Sequence, residues 1–191
     1  FSFLAPELLD PDKSTDLRVS YHEVVIEPYL TSAVQRINPQ LSSSVLQQAV
    51  KEVLRIPGTG DLITANQNFH KLLTEGIDVT FLDKSEEKTV KAKLVDDINP
   101  ANNHWHITHQ FTIIENGQQK RPDVIVFLNG VPVIVIELKN AVDQNATIDK
   151  AYQQLQTYHK AIPILFSYNC FEIISDGLEA KVGTIASDIS R

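Results

Sequence analysis

Hydrophobic residues recur at two different spacings along this chain, and the spacing changes near residue 76. Between residues 21 and 76 they recur at intervals of three and four, which is typical of amphipathic helices. The clearest stretches are 24–34, 45–53 and 62–75, the last of which ends at a glycine. Residues 1–20 are rich in Pro, Asp and Ser and are predicted to be a loose lead-in. The pattern therefore predicts an N-terminal helical layer.

From residue 77 onward the spacing is close to two, which favours β-strands. Strands are predicted at 77–81, 90–95, 105–114, 123–127, 131–138, 162–166 and 171–174, with a helix at 147–159. If the strands at 131–138 and 162–166 are parallel, the helix between them makes a right-handed crossover. The overall expectation is an α/β fold with a mixed sheet, flanking helices and the helical layer in front.

Two carboxylates and a lysine stand at the ends of the most apolar strands. Asp123 follows Pro122 at the start of one strand, and the next strand ends on Glu137-Leu138-Lys139. Glu137 and Lys139 are two apart and share a face, whereas Leu138 is expected to point into the core. Carboxylates beside a buried sheet are costly unless they are paired or bind a cation. These residues therefore form a candidate site.

The turn at Asn129-Gly130 decides whether Asp123 lies on the face of Glu137. A two-residue turn with regular pairing sets Asp123 opposite Ile136, on the wrong face. A turn with an odd number of residues and a bulge sets Asp123 opposite Val135, diagonal to Glu137. We predict the odd turn, because only that register brings the two acids together.

Converging carboxylates repel each other unless a cation lies between them, and such hard oxygen ligands suit Mg²⁺. Asp123 and Glu137 are thus candidate Mg²⁺ ligands for phosphodiester hydrolysis, with Lys139 stabilising the developing negative charge. Gln154 and Tyr158, at positions i and i+4 of the following helix, could orient the carboxylates or a DNA phosphate. The alternatives are a solvated rim of charges for the first three and ordinary helix packing for the last two.

Other candidate sites are weaker. Asp176, Glu179 and Lys181 repeat the acid-acid-x-Lys order, but only two residues separate the acids and the segment is a Gly-containing turn, so we interpret it as a chance copy. Three histidines between residues 104 and 109 have no Cys or acid nearby and favour an ordinary strand over a zinc site. Cys170 lies in an apolar segment and is expected to pack in the core.

Composition limits the interpretation further. The 191 residues can bury one core, and a net charge of −7 is unusual for a domain that contacts nucleic acid, so DNA affinity should come mostly from elsewhere. The chain starts at a phenylalanine and has no methionine, which suggests a fragment of a longer protein. Its single cysteine rules out an internal disulfide framework and fits a reducing compartment.

Several segments closely resemble the N-terminal nuclease region of the restriction (R) subunit of type I restriction–modification enzymes. They are QKRPDVIVFLNGVPVIVIELKNA, the QLQTY at 154–158, YNCFEIISDGLEAKVGTI at 168–185, RINPQL at 36–41, NFHKLLTEGIDV at 68–79 and DDINPANNHWHITHQF at 96–111. The resemblance covers most of residues 21–185, and the block from Arg121 to Asn140 is its most specific part.

The resemblance implies a restriction-endonuclease-like PD-(D/E)xK nuclease domain over residues 21–191, with the helical layer at 21–76 and the catalytic core at 77–191. It implies that Asp123, Glu137 and Lys139 are catalytic and that Gln154 and Tyr158 form the accessory QxxxY motif. It also implies a double-stranded DNA substrate, ATP-driven motors outside this chain, methyltransferase and specificity subunits as partners, and a cytoplasmic location.

RecB-like nucleases, which share this motif, often use an upstream glutamate as a further metal ligand. Glu75 and Glu23 are the candidates here, although a solvated surface position is the simpler interpretation of each. A RecB-like repair nuclease or resolvase is the alternative within the same fold. A docking module that has lost catalysis and bridges subunits is the alternative from another class.

Overall fold

Three helices pack in front of the sheet, as the hydrophobic spacing predicts. The structure is a computed structural model that describes residues 1–13, 16–83, 86–139 and 148–188. The helices are α1 (Glu27–Ile37), α2 (Ser43–Leu54) and α3 (Leu62–Glu75). Side chains of Ser42 and Asp61 accept hydrogen bonds from the first turns of α2 and α3, which satisfies backbone donors there. The expected helical layer is confirmed.

A six-stranded mixed sheet forms the centre of the fold, in the order β1-β4-β7-β8-β9-β10. Its strands are β1 (Ser2–Phe3), β4 (Trp105–His109), β7 (Val124–Leu128), β8 (Val131–Leu138), β9 (Phe171–Ser175) and β10 (Ala180–Gly183). The β1–β4 and β8–β9 pairs are parallel, and the other neighbours are antiparallel. Two small antiparallel pairs lie outside it: β2 (Ile77–Asp83) with β3 (Glu86–Ala92), and β5 (Ile113–Glu115) with β6 (Gln118–Lys120).

The α/β expectation, a mixed sheet with flanking helices, is confirmed and matches a restriction-endonuclease-like fold. Helix α4 (Ile148–Ala161) lies between β8 and β9 in the chain and contacts both strands. Within the described residues, no helix is long and apolar enough to span a membrane. At the other end of the chain, Ser2–Phe3 of the expected lead-in pairs with β4 at the edge of the sheet.

The strand predicted at 162–166 is wrong, because these residues form a short helix, α5 (Pro163–Phe166). Pro163 stands at the first helical position, where a missing N–H costs nothing. The Glu115 carboxylate accepts a hydrogen bond from Ile164 N at 3.0 Å and satisfies a free donor of this turn. Leu165 and Phe166 are fully buried, and short buried helices and strands look alike in sequence. The strand parallel to β8 is β9.

The strand predicted at 105–114 is interrupted, and the break lies beside the candidate site. Gln110 has φ of +54°, which ends β4 and turns the chain towards β5. Phe111 follows at once and is buried, with its ring against Phe127 of β7 and the guanidinium of Arg18. The corner is therefore held by core packing on one side and by strand pairing on the other.

The tip of the β7–β8 hairpin is docked under α1. Asn129 and Gly130 have φ of +52° and +85°, as a type I′ turn requires. Gly130 O accepts a hydrogen bond from Ile26 N at 2.8 Å, and a Cβ at Gly130 would lie 2.6 Å from Ile26 O. The buried Asn129 side chain hydrogen-bonds to Leu94 O, to Asn103 and to His104 N. This tip fixes the hairpin that carries the two acids.

Candidate active site

The register of the β7–β8 hairpin places the two acids opposite each other, by a route different from the predicted one. The turn has two residues and pairs Leu128 with Val131, so the expected odd turn is wrong. The register then shifts between Val126 and Phe127, where β8 contains one extra residue, and Val124 pairs with Ile136. Continuing that register sets Asp123 opposite Glu137. Directly opposite residues share a face of the sheet.

The face that carries Glu137 is the covered one. Glu137 is only 2% exposed, whereas Leu138 is 48% exposed. The expectation that Leu138 points into the core is therefore wrong. Helix α4 packs on β8, and its buried Tyr158 lies close to Glu137 on the covered face. The apolar side chain is in solvent and the carboxylate is buried, an inversion that calls for a functional reason.

Glu137 and Lys139 form a partly buried ion pair. Lys139 Nζ lies 2.6 Å from Glu137 Oε1, and the lysine side chain retains 24% exposure. The pKa of Glu137 is raised, chiefly because burial disfavours the charged form, and the Asp123 charge raises it further. The hydrogen bond from Lys139 works in the opposite direction and lowers it. One cation therefore compensates only part of the negative charge at this position.

Asp123 is held by three hydrogen bonds. Its Oδ2 accepts from Leu138 N at 2.9 Å, which ties it to the end of β8. Its Oδ1 accepts from Gln110 Nε2 at 3.2 Å, and its backbone O accepts from Gln110 N at 2.9 Å. Gln110 was not among the residues singled out from the sequence, and no local pattern marks it. Only its unusual backbone and its position opposite the start of β7 connect it with the site.

The predicted pair on α4 also lies at this site. Gln154 Nε2 donates a hydrogen bond to the Tyr158 hydroxyl at 2.8 Å, as expected for positions i and i+4. Tyr158 is buried, and its pKa is raised to about 12 by that burial and by the charges of Glu137 and Asp123. Its hydroxyl therefore remains protonated and lies close enough to Glu137 to affect the pKa of that carboxyl. The structure thus gathers five predicted side chains: Asp123, Glu137, Lys139, Gln154 and Tyr158.

The donor set fits a hard divalent cation that keeps several waters. Within residues 1–13, 16–83, 86–139 and 148–188, no group of three or more His, Cys, Asp or Glu side chains forms a complete ligand cage. Two carboxylates are nonetheless the usual protein share for Mg²⁺. Glu137 Oε2 is buried and has no hydrogen-bond partner among the residues that the structure describes, and an oxygen in that state is costly unless something binds it. This oxygen belongs to a carboxylate that also experiences the charge of Asp123, and it fits a cation better than it fits an apolar core.

The two candidate upstream glutamates lie elsewhere. Glu23 accepts a hydrogen bond from Val19 N at 3.0 Å, in the loop before α1. Glu75 is exposed at the end of α3, in a surface depression that it shares with Asp78. Among the described residues, neither has a contact with Asp123, Glu137 or Lys139. The role of either as a ligand stays a prediction without a supporting contact.

The weaker candidates have ordinary surroundings. His106 stacks on Tyr29 at 4.6 Å between ring centroids, and His109 stacks on Phe3 at 5.6 Å. Cys170 is partly buried, and burial raises its pKa to about 11, so the thiol stays protonated. Asp176 accepts hydrogen bonds from Leu178 N and Glu179 N in an exposed turn.

Comparison with known proteins shows which family this chain resembles. The sequence profile described as the N terminus of type I restriction enzyme R proteins matches residues 1–190. The type I restriction enzyme HindI endonuclease subunit of Haemophilus influenzae is 38% identical over 169 residues, which are 88% of this chain and 16% of that protein. The putative type I restriction enzyme MjaIXP endonuclease subunit of Methanocaldococcus jannaschii is 33% identical over 177 residues, 91% of this chain and 17% of that protein.

This chain spans about a sixth of the length of those two relatives, at 16% and 17% of each. The match covers both the helical layer and the sheet, including every residue of the candidate site. The resemblance seen in the sequence is thus confirmed, and the chain belongs to the family of type I restriction enzyme R protein N termini.

Proposed function

We propose that this chain is the nuclease module of a type I restriction subunit and that it cleaves double-stranded DNA with Mg²⁺. The observation that carries the proposal is the buried Glu137 carboxylate, which faces Asp123, contacts Lys139 and keeps one oxygen without a partner. A fold that needed only stability would have a neutral residue there. A buried, raised-pKa carboxylate with a charged neighbour is the kind of group that active sites contain.

In this proposal Asp123 and Glu137 are the two side chains that would hold the cation. When bound, the ion supplies Lewis-acid chemistry, by lowering the pKa of water and neutralising charge on the phosphate. The backbone N–H of Leu138 holds Asp123 in place on β8. Each carboxylate offers about four acceptor positions, and the hydrogen bonds described above use only some of them, so both carboxylates keep acceptor capacity for a cation.

Lys139 has two roles in the proposal. Before a cation binds, its ammonium neutralises Glu137 at 2.6 Å. Its remaining exposure lets it turn towards solvent, where it would orient the attacking water and stabilise negative charge that develops on the phosphate. Tyr158 stays protonated and can donate to a carboxylate or a phosphate oxygen, while Gln154 fixes the direction of that hydroxyl.

The net charge of −7 leaves most DNA affinity to other regions. We therefore place this module in a longer subunit with ATP-driven motors that move DNA, and in a cytoplasmic complex with methyltransferase and specificity subunits. The names of the relatives, endonuclease subunits of type I restriction enzymes, support this assignment. The chain itself would contribute the chemistry, and the complex would hold the substrate.

The test is Lys139→Ala in the assembled restriction complex. We expect DNA cleavage to fall about 10³-fold, because a charge aimed at the transition state is lost, while ATP hydrolysis continues at the normal rate. Cleavage is followed on supercoiled plasmid with Mg²⁺, and ATP hydrolysis in the same tubes. Lys181→Ala, in the chance copy of the motif, is the matched control and should stay within about twofold.

Two outcomes would contradict the proposed function. Normal cleavage by the Lys139→Ala complex refutes the assignment of this site. Wild-type complex that cleaves equally well with all divalent ions chelated refutes the metal mechanism and revives the docking module that has no catalysis of its own.

A further inference from the structure

Gln110 contacts Asp123 twice, and its backbone has a conformation that residues other than glycine seldom adopt. Its φ is +54°, and only three residues other than glycine have positive φ within the described chain: Gln110, Asn116 and Asn129. The other two are asparagines in Asn-Gly turns, where that conformation is common. Gln110 is followed by Phe111 instead, so ordinary turn chemistry does not explain it.

The contacts give a reason for the conformation. Gln110 N donates to the backbone O of Asp123 at 2.9 Å, and Gln110 Nε2 donates to Oδ1 of the same residue at 3.2 Å. One residue therefore fixes both the main chain and the carboxylate of Asp123. Unusual backbone conformations persist where the surrounding fold holds them, and they concentrate at functional sites. The pairing of His109 with Val124 and the buried Phe111 ring hold this one.

The orientation of Asp123 depends on two donors on opposite sides. Leu138 N holds Oδ2 from β8, and Gln110 Nε2 holds Oδ1 from the corner after β4. With both in place, the carboxylate plane is fixed relative to Glu137. With only the Leu138 bond, the carboxylate can rotate about its side-chain torsions, because the χ2 well of Asp is broad. Residues that hydrogen-bond a ligating carboxylate typically affect metal affinity 10- to 100-fold.

We propose that Gln110 is a positioning residue that sets the Asp123 carboxylate for cation binding. The inference rests on the proposed function, because it takes Asp123 as a metal ligand. In this proposal Gln110 acts through Asp123 and not directly on the cation or the DNA. Its amide is neutral, so it orients the carboxylate without cancelling the charge that attracts the ion.

The cleanest variant is Gln110→Gly, which favours positive φ and keeps the backbone bond to Asp123 while it removes the amide. The matched control is Asn116→Gly, which makes the same backbone change at φ of +50° in an exposed turn. Mn²⁺ is used as the probe, because its binding can be followed by electron paramagnetic resonance in the absence of DNA. The measurement is made on the complete subunit and on the assembled complex.

We expect Gln110→Gly to weaken Mn²⁺ binding about tenfold and to raise the Mg²⁺ concentration for half-maximal cleavage by the same factor. At saturating Mg²⁺ most of the cleavage rate should return, and ATP hydrolysis should be unchanged. Gln110→Asn, which keeps an amide on a shorter side chain and tolerates positive φ, should recover part of the affinity. Asn116→Gly should bind Mn²⁺ as the wild type does.

Unchanged Mn²⁺ affinity in Gln110→Gly overturns the inference, whether or not cleavage falls. If only the KM for DNA rises, Gln110 contacts DNA and does not position Asp123. A lower melting temperature with normal Mn²⁺ binding assigns it a purely structural role. Asp123→Ala separates this result from the larger proposal: if Asp123→Ala abolishes cleavage while Gln110→Gly binds Mn²⁺ normally, only the inference fails, and if Asp123→Ala cleaves normally, the proposed function fails.

Discussion

Two copies of the acid, acid, x, lysine order, at 123–139 and at 176–181, lie in very different surroundings. In the first copy, Glu137 is 2% exposed on the central strand β8, and its pKa is raised by burial. In the second, Asp176 lies at the surface with its pKa lowered by backbone hydrogen bonds from Glu179 and Leu178. The same residue types are thus destabilised in their charged form at one place and stabilised at the other.

The difference teaches that the residue types alone carry little information about chemistry. A carboxylate that accepts hydrogen bonds from its own turn is already satisfied and has little to gain from a cation. A carboxylate that is buried with an orphaned oxygen has much to gain. Substitutions made in parallel at the two copies should therefore have very different effects.

The largest contrast should be in cleavage. We expect Asp123→Asn to lower plasmid cleavage by the assembled complex by a factor of about 10³ or more, because it removes a charge at the proposed cation site. Asp176→Asn should leave cleavage within about twofold, because its carboxylate only closes an exposed turn. Equal losses of cleavage in the two variants would show that the buried copy matters no more for catalysis than the exposed one.

The next contrast concerns the turns that support the two copies. Gly130 has φ of +85° and Gly177 has φ of +87°, so alanine at either position costs about 1–2 kcal/mol of backbone strain. Gly130→Ala also places a Cβ 2.6 Å from Ile26 O and 2.7 Å from Leu30 N, and its total cost should reach about 3 kcal/mol or more. Urea unfolding measures both. A smaller cost at Gly130 than at the exposed Gly177 would show that the hairpin tip is not tightly docked.

The smallest contrast is a gain in stability. Because the pKa of Glu137 is raised in the folded state, its contribution to stability is fully present below the ordinary value of 4.5 and is lost as the pH rises through the raised value. Glu137→Gln removes this loss, and Lys139 can be hydrated because it is partly exposed. At pH 8 with metal chelated, we expect a gain of about 1 kcal/mol.

That gain should shrink as the pH falls through the raised pKa of Glu137, and it should vanish below the ordinary value of 4.5, where the carboxyl is protonated in both the folded and the unfolded wild type. The control is Glu179→Gln, an exposed change that should stay within about 0.5 kcal/mol at every pH. Thermal and urea unfolding at several pH values measure the difference. A Glu137→Gln protein that is less stable than the wild type at pH 8 would show that the ion pair with Lys139 outweighs the burial of the carboxylate.

Much of the architecture follows from patterns along the chain. The three N-terminal helices, β8 and α4 were predicted close to their observed bounds, because each has a long and regular hydrophobic period. The prediction at 162–166 was wrong because a helix of four residues is too short to show a period. The break at Gln110 was not predicted, because it depends on the pairing of β4 with β7, on the burial of Phe111 and on a contact with a residue 13 positions away.

The candidate site, too, could be predicted only in part from the sequence. Asp123, Glu137 and Lys139 could be found because acids at the ends of apolar strands are unusual, and Gln154 and Tyr158 because helix geometry relates them. Their convergence could not be derived from the turn, since the observed register depends on an extra residue within β8. Glu137 is buried and Leu138 is exposed because α4 packs on the face of β8 that carries Glu137. This packing joins segments that are distant in the sequence. Gln110 could be recognised as part of the site only from the structure.

The extra residue in β8 also constrains how this hairpin can change in length. The 13 residues between Asp123 and Glu137 form a turn of two and a strand pair with one unpaired position. Deleting the unpaired residue of β8 would leave a regular two-residue hairpin that still sets the two acids opposite each other, whereas deleting a paired residue while the bulge persists would turn one acid to the far face of the sheet. A change of one residue in this spacing is therefore tolerated only when the bulge is lost with it, and the count between the two acids reflects the geometry of an irregular strand as much as the chemistry of the acids themselves.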